Sequence, residues 1–229
     1  MSKKTKRRSK ISKQVDSKKI YDVNQAIDIL KKTATAKFNE SIDIAINLGI
    51  NTKKSEQNIR GTVLLPNGTG KKIKIGVFAK DLDIKKAKLA GANYIGMENL
   101  IKKIKDKKNL LDVIIASPDA MKIVGTIGSI LGPRGIMPSP KLGTVTNNIY
   151  QTIKNVKKGQ IYFKNDKNGI IHSIIGKINF QKEHIVENLK VLLKAINQMK
   201  SEKSKGVFFK KVTISTTMGI SVNINYLNL

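Results

Sequence analysis

The chain has 229 residues, 40% of them hydrophobic, and its 44 Lys and Arg against 16 Asp and Glu give a net charge of +28. That is enough apolar material for one large or two ordinary domains, and so basic a surface attracts polyanions, nucleic acid above all. The lack of cysteine excludes disulfides, thiolate catalysis and Cys-ligated zinc, and no apolar run reaches the about 18 residues of a membrane span.

Lysine so outnumbers arginine (only Arg7, Arg8, Arg60 and Arg134) that genome composition explains part of the bias, but not the scarcity of acids. The opening MSKKTKRRSK has charge but no apolar segment after it, so it does not read as a secretory signal. The expectation is a cytoplasmic protein without a membrane partner. Residues 1–20 read as a flexible basic arm that orders at most on a polyanion.

From there the pattern predicts a helix capped by Asp22 or Asn24 and running to about Thr35, with Ala26, Ile27, Leu30 and Ala34 on one face. Ile42, Ile44, Ile46 and Leu48 alternate with Asp43, Ala45 and Asn47, a half-buried strand. A second strand over residues 59–65 is stopped by Pro66-Asn67-Gly68, because Pro removes a ladder donor and Gly permits a tight turn.

Strand-like residues 73–79, 94–96 and 113–116 then alternate with helical 84–90 and 98–105. That spacing implies crossover connections and a parallel sheet. Ser117-Pro118-Asp119 starts a further helix, the Pro- and Gly-rich LGPRGIMPSPKLGTVT follows, and a helix is expected near residues 148–156.

Beyond Gly159 the alternation ends. Strands over 161–164 and 170–175 flank NDKNG as a hairpin. A long amphipathic helix covers 181–199, and strands over 207–215 and 220–226 are joined through TTMG. The economical arrangement is an outer α+β domain (21–66 and 159–229, antiparallel sheet with helices, built from both termini) around an inserted Rossmann-like α/β domain (67–158). Pro66, Gly68 and Gly159 lie at the two crossings, where paired glycine-bearing connections suit a hinge.

Motifs for small-molecule chemistry fail on inspection. GTGKK (68–72) lacks the leading Gly and the terminal Ser or Thr of a phosphate loop, and a strand follows where a helix is needed. No G-x-G-x-x-G opens the inserted domain. GPRG (132–135) matches a KH loop in letters only, and aromatics at 5% leave no stacking platform. His172 and His184 have no evident catalytic or metal partner, so no catalytic residue, metal or cofactor is expected.

Three polar stretches at strand ends remain: KFNES (37–41), NDKNGIIH (165–172) and STTMGIS (215–221). Their hydroxyls, amides and backbone N–H groups suit recognition of RNA sugar edges and phosphates.

LGPRGIMPSPKLGTVT, TAKFNES, RGTVLLPNGTGK, FKNDKNGIIH and STTMGIS, in this order and spacing, closely resemble the ribosomal protein L-one family of the large subunit in its bacterial form. The resemblance runs from about residue 15 to the end. It implies a protein that is not an enzyme and has no cofactor, monomeric when free. It would bind large-subunit rRNA to form a mobile stalk near the tRNA exit site, meet E-site tRNA and assist its release, and repress translation of its own operon mRNA.

The family's RNA contacts fall here on Lys37, Phe38, Glu40, Ser41, Asp166, Lys167, His172, Ser215, Thr217, Met218 and Gly219. Gly219 is expected to supply a positive φ or a close backbone approach, and Glu40 and Asp166 to accept from ribose hydroxyls or amino groups. Arg134 and Lys141 belong to a secondary or interdomain loop. Ile220 stands where the family usually has Pro, which loosens the expectation for the turn before it. The other functional classes are a nucleotide-binding enzyme using the inserted domain and a generic polyanion binder.

Overall fold

The computed structural model describes residues 7, 9, 11, 15, 16, 19–79, 81–106, 111–200 and 206–227. The chain folds as two compact units. One combines Met1–Gly70 with Ile161–Leu229, and the other is Lys71–Gln160.

The first unit centres on a five-stranded sheet made of β1 (Ile20–Tyr21), β2 (Ser41–Leu48), β8 (Ile170–Lys177), β9 (Phe209–Thr216) and β10 (Val222–Ile224). Its order is β1-β10-β9-β2-β8, with β1 parallel to β10 and the other pairs antiparallel. The strict alternation of β2 puts Ile42, Ile44, Ile46 and Leu48 on one face, where they are buried, and a one-residue slip would expose them all.

Two helices cover that face. In α1 (Val23–Thr33) the side chain of Asp22 accepts from the Asn24 N–H as the cap, and Val23, Ala26, Ile27 and Leu30 point inward. In α7 (Lys182–Gln198) Ile185, Leu189, Leu192 and Ile196 recur at helical spacing and are fully buried. Both helices and the sheet share one apolar core. Among the described residues no helix covers the opposite face, which carries Asp43, Ala45, Asn47, His172, Thr213 and Ser215; His172 is exposed and the others are half-buried.

The expected hairpin around NDKNG takes a different form. Strand β7 (Gln160–Lys164) pairs with β3 (Arg60–Leu64) in a separate two-stranded ribbon, while β8 pairs with β2. Only an isolated bridge, Asn165 to Ile171, links the two arms. The turn swings the chain from one sheet to the other because Asp166 Oδ1 accepts from both Asn168 and Ile170 N–H, each at 2.8 Å. Gly169 takes the positive φ of +78° that this curl requires.

Most of the expected basic arm lies outside the described residues. Of those described, Arg7, Ser9 and Ile11 are helical, and Ile11 and Val15 are buried. Val15 joins the core of the first unit.

In the second unit β4 (Ile75–Phe78) lies between β5 (Tyr94–Ile95) and β6 (Val113–Ala116), all parallel. The intervening helices are α2 (Asp81–Leu89) and α3 (Glu98–Asp106). The helix expected after Ser117 is broken into a 3₁₀ turn at Pro118–Ala120, α4 (Met121–Gly125) and α5 (Gly128–Leu131). Thr126 interrupts it by turning its hydroxyl back onto the Ile123 carbonyl at 2.7 Å.

The Pro- and Gly-rich loop then returns to the sheet. Ala116 N–H donates to the Thr144 carbonyl and Thr146 N–H to the Ala116 carbonyl, at 2.9 and 3.1 Å, a short parallel bridge beside β6. Helix α6 (Ile149–Lys158) ends on Gly159, whose φ of +110° makes it a left-handed cap.

Candidate nucleic-acid interface

Residues 36–41 and 215–219 meet at one end of the five-stranded sheet, and a buried carboxylate holds them together. Glu40 is 1% exposed. Its Oε1 accepts from the Ala36 N–H and from the Arg7 guanidinium, each at 3.3 Å, and its Oε2 accepts from the Met218 N–H at 3.0 Å. Burial pushes the Glu40 carboxyl up. The Met218 and Ala36 N–H groups and the Arg7 charge outweigh that effect and hold it below the usual carboxylate range. Glu40 therefore faces inward as a brace, with both oxygens already occupied, instead of reaching for ribose as its position in the motif implies.

A second clamp joins the same two loops. Thr217 N–H donates to the Ser41 carbonyl at 3.1 Å, and the Ser41 N–H donates to Thr217 Oγ1 at 3.1 Å. The Thr217 hydroxyl also reaches the Ser41 carbonyl at 3.4 Å. The hydroxyl thus ties the turn to the start of β2 while Thr217 stays exposed.

With the polar groups spent below, the loops present Phe38 and Met218 outward, 54% and 57% exposed. Lys37 is exposed beside them, and Ser41 lies opposite Lys177 on β8. Two exposed apolar side chains on loops that a buried carboxylate holds together, with Lys37 next to Phe38 in the chain, suit the sugar and base faces of a polyanion.

Gly219 differs from the expectation of a positive φ, since it is absent from the glycines with that conformation. Glycine is needed here because a Cβ would overlap the Thr216 hydroxyl. The turn closes through the Gly219 N–H on the Thr216 carbonyl at 3.0 Å, and Ile220 packs against the core behind it. Ile220 thereby anchors the turn by burial where Pro would stiffen it by its ring. Gly219→Ala is expected to weaken RNA binding several-fold with a small loss of stability, measured by filter binding and urea unfolding. Unchanged affinity would show that the turn tolerates displacement.

The remaining expected contacts lie elsewhere on the sheet. Strand β2 separates Ser41 from Leu48 by seven steps, about 23 Å at the usual rise, and the 165–169 turn sits at the Leu48 end, where the Leu48 N–H donates to the Gly169 carbonyl. Asp166 spends Oδ1 on its own turn. The Ile170 N–H, followed by the other turn N–H groups and His172, keeps its carboxyl below the usual range. Lys167 is exposed at that turn, His172 is exposed on β8 opposite Ala45, and Ser215 is half-buried opposite Asp43. The expected residues thus form a braced cluster at one end and a string along the uncovered face.

Arg134 and Lys141 belong to the second unit. Lys141 lies in the 3₁₀ turn Pro140–Leu142. Of the expected hinge residues, Gly68 has φ +65° and Gly159 φ +110°. Pro66-Asn67-Gly68 is pinned to α7: the Asn67 N–H donates to Asn188 Oδ1 at 3.1 Å, and Asn188 Nδ2 donates to the Gly68 carbonyl at 3.0 Å. Any pivot in this crossing therefore lies after Gly68.

Sequence reasoning missed Arg7 and Asn188. Asn188 carried a signal, since it interrupts the apolar face of α7 between Ile185 and Leu189. No helix of the described residues is long and apolar enough to cross a membrane, and they hold no cluster of His, Asp or Glu suited to a metal.

The model of the ribosomal protein L1p/L10e family matches residues 30–220. The chain is 55% identical over 225 residues to the large ribosomal subunit protein uL1 of Buchnera aphidicola subsp. Acyrthosiphon pisum (strain Tuc7), covering 98% of this chain and 97% of that protein. It is 52% identical over 229 residues to the protein of the same name from Pasteurella multocida (strain Pm70), with both chains fully covered.

Proposed function

The chain belongs to the ribosomal protein L1p/L10e family, and from that premise we propose that it binds large-subunit rRNA directly through the Glu40-braced end of the sheet. Like its relatives it is a structural component of the large ribosomal subunit in the cytoplasm, and not an enzyme. The observation that carries the binding site is the convergence of the 36–41 and 215–219 loops on one buried carboxylate, which sets Phe38 and Met218 outward on a rigid base. A net charge of +28 supplies the long-range attraction.

The finer reading goes further along the same line. The bound rRNA and protein form a mobile stalk near the tRNA exit site, where release of deacylated tRNA is assisted. An mRNA site resembling the rRNA segment lets the free protein repress its own operon. The all-parallel order β5-β4-β6 supports a Rossmann-like second unit, joined to the first where the chain crosses at Gly70–Lys71 and Gln160–Ile161.

The test is a titration of a stem–junction rRNA fragment and a scrambled duplex at two salt concentrations. The fragment is expected to bind more tightly at both, and Met218→Ala to weaken it by about 1–3 kcal/mol, the scale of a good interface contact. Arg134→Ala is expected to change it much less. Equal affinity for the two RNAs would leave only a generic polyanion binder, and an Arg134 effect as large as that of Met218 would move the site to the second unit.

A further inference from the structure

The methionines of the described residues differ in what surrounds their sulfur. Met97 and Met121 are partly buried against the core of the second unit. The Met199 sulfur occupies the space that a side chain on Gly61 would need, and the Met137 sulfur lies near Gly128. Met218 stands apart from these. It is 57% exposed, against 39% for Met199 and 38% for Met137.

The backbone around Met218 keeps that side chain on display. Its N–H donates to the buried Glu40 carboxylate at 3.0 Å. The Thr217 N–H before it is tied to the Ser41 carbonyl at 3.1 Å, and the Gly219 N–H after it to the Thr216 carbonyl at 3.0 Å. In a chain without cysteine, its thioether is the group of this loop pair most open to a two-electron oxidant. The sulfur lone pair attacks one oxygen of a peroxide, the O–O bond breaks and an S–O bond forms. The departing hydroxide takes the proton shed by the transferred oxygen and leaves as water. Sulfur is oxidised by two electrons and the peroxide reduced by two. The product is a polar, chiral sulfoxide in place of a flexible apolar group. Its oxygen can only accept, so it meets phosphate oxygens without a hydrogen bond.

We propose that Met218 is a modification site, at which a peroxide-class oxidant forms methionine sulfoxide and thereby weakens RNA binding. This inference rests on the RNA-binding reading above. RNA seated on the 36–41 and 215–219 loops covers the sulfur, so oxidation falls on the free protein and sets how much of it can bind. A methionine sulfoxide reductase supplied with thiol reducing equivalents returns the thioether, which makes the mark reversible.

The experiment treats the full chain with hydrogen peroxide, free and bound to the rRNA fragment. Each methionine is followed by peptide mass mapping, alongside affinity for the fragment. In the free protein Met218 is expected to gain an oxygen before Met97, Met121, Met137 and Met199. At the dose that oxidises Met218, affinity should fall about tenfold, the scale of one good thioether contact, while the urea midpoint is unchanged. Bound fragment should slow the reaction at Met218 and leave that at Met199 as it was. Reductase treatment should restore the affinity. Met218→Leu, whatever its own affinity, should show the same value before and after peroxide, whereas Met199→Leu should lose affinity to peroxide as wild type does.

Three results would each overturn the role of Met218 while leaving the RNA-binding reading in place: a Met218 that reacts no sooner than Met137 and Met199, a protein oxidised at Met218 that keeps its affinity, or a Met218→Leu variant that peroxide weakens as it does wild type. Untreated wild type showing no preference for the fragment over its scrambled duplex overturns both.

Discussion

Asn188→Ala is expected to destabilise the protein by about 3 kcal/mol, among the larger effects of a single polar truncation. The residue is fully buried in α7. Its Oδ1 accepts from the Asn67 N–H, and its Nδ2 donates to the Gly68 carbonyl at 3.0 Å and the Ile175 carbonyl at 2.8 Å. One side chain thus satisfies backbone groups from β8 and from the segment leading out of the first unit. Alanine would strand all three and leave a cavity, and each stranded buried group costs about 1–3 kcal/mol before relaxation.

The measurement is urea unfolding followed by far-UV circular dichroism, read as a lower midpoint. Asn188→Asp sharpens it. The carboxylate keeps the acceptor for Asn67 but turns an acceptor toward two carbonyls, so it should lose at least as much as alanine despite its matching size. A loss under about 1 kcal/mol for both variants would mean that water or a shifted backbone replaces the clamp.

Glu40→Gln is expected to weaken binding of the rRNA fragment by about ten- to a hundredfold and to lower stability by about 2 kcal/mol, since charged hydrogen bonds contribute more than neutral ones. The carboxylate accepts from Ala36, Met218 and Arg7 at once. Glutamine has one acceptor oxygen, so its amide N–H₂ must face a backbone N–H or the Arg7 guanidinium. One of the two loops then comes loose, and with it either Phe38 or Met218. Retention of full affinity in Glu40→Gln would show that the loops hold their shape without the brace.

The pH dependence has a definite sign. The folded-state pKa of Glu40 is lowered. Its contribution is therefore complete above the ordinary carboxylate value and is lost as pH falls through the depressed one. The stability gap between wild type and Glu40→Gln should be widest near neutral pH and close on acidification, measured by urea midpoints across that range. A gap that stays constant would mean that the charge is not what matters.

Much of this arrangement was legible without coordinates. The alternation in 41–48 and the spacing of Ile185, Leu189, Leu192 and Ile196 name the faces that meet in the core, because period alone decides which side chains share a side. Asp22 is legible as a cap for the same local reason. The motif stretches identified the candidate site because their polar residues are adjacent in the chain. Asn188 was missed because a buried amide among leucines has no meaning until Asn67 and Gly68, 121 and 120 residues away, are known as its partners. Gly219 was read for its φ, while the real constraint is a neighbouring hydroxyl.

The sequence by itself determined that this is a basic, cysteine-free mixed α/β protein of its family, since composition, period and motif are properties of neighbouring residues. Only the tertiary structure decided which motif residues face outward. Lys37 and Phe38 share a loop with Glu40, yet Glu40 turns inward to brace the site; Met218 shares a loop with Thr217, which stays exposed while its hydroxyl ties the turn to Ser41. Burial and hydrogen-bond geometry are set by segments that meet from distant parts of the chain, and a carboxylate 178 residues from the N–H it binds has no local signature.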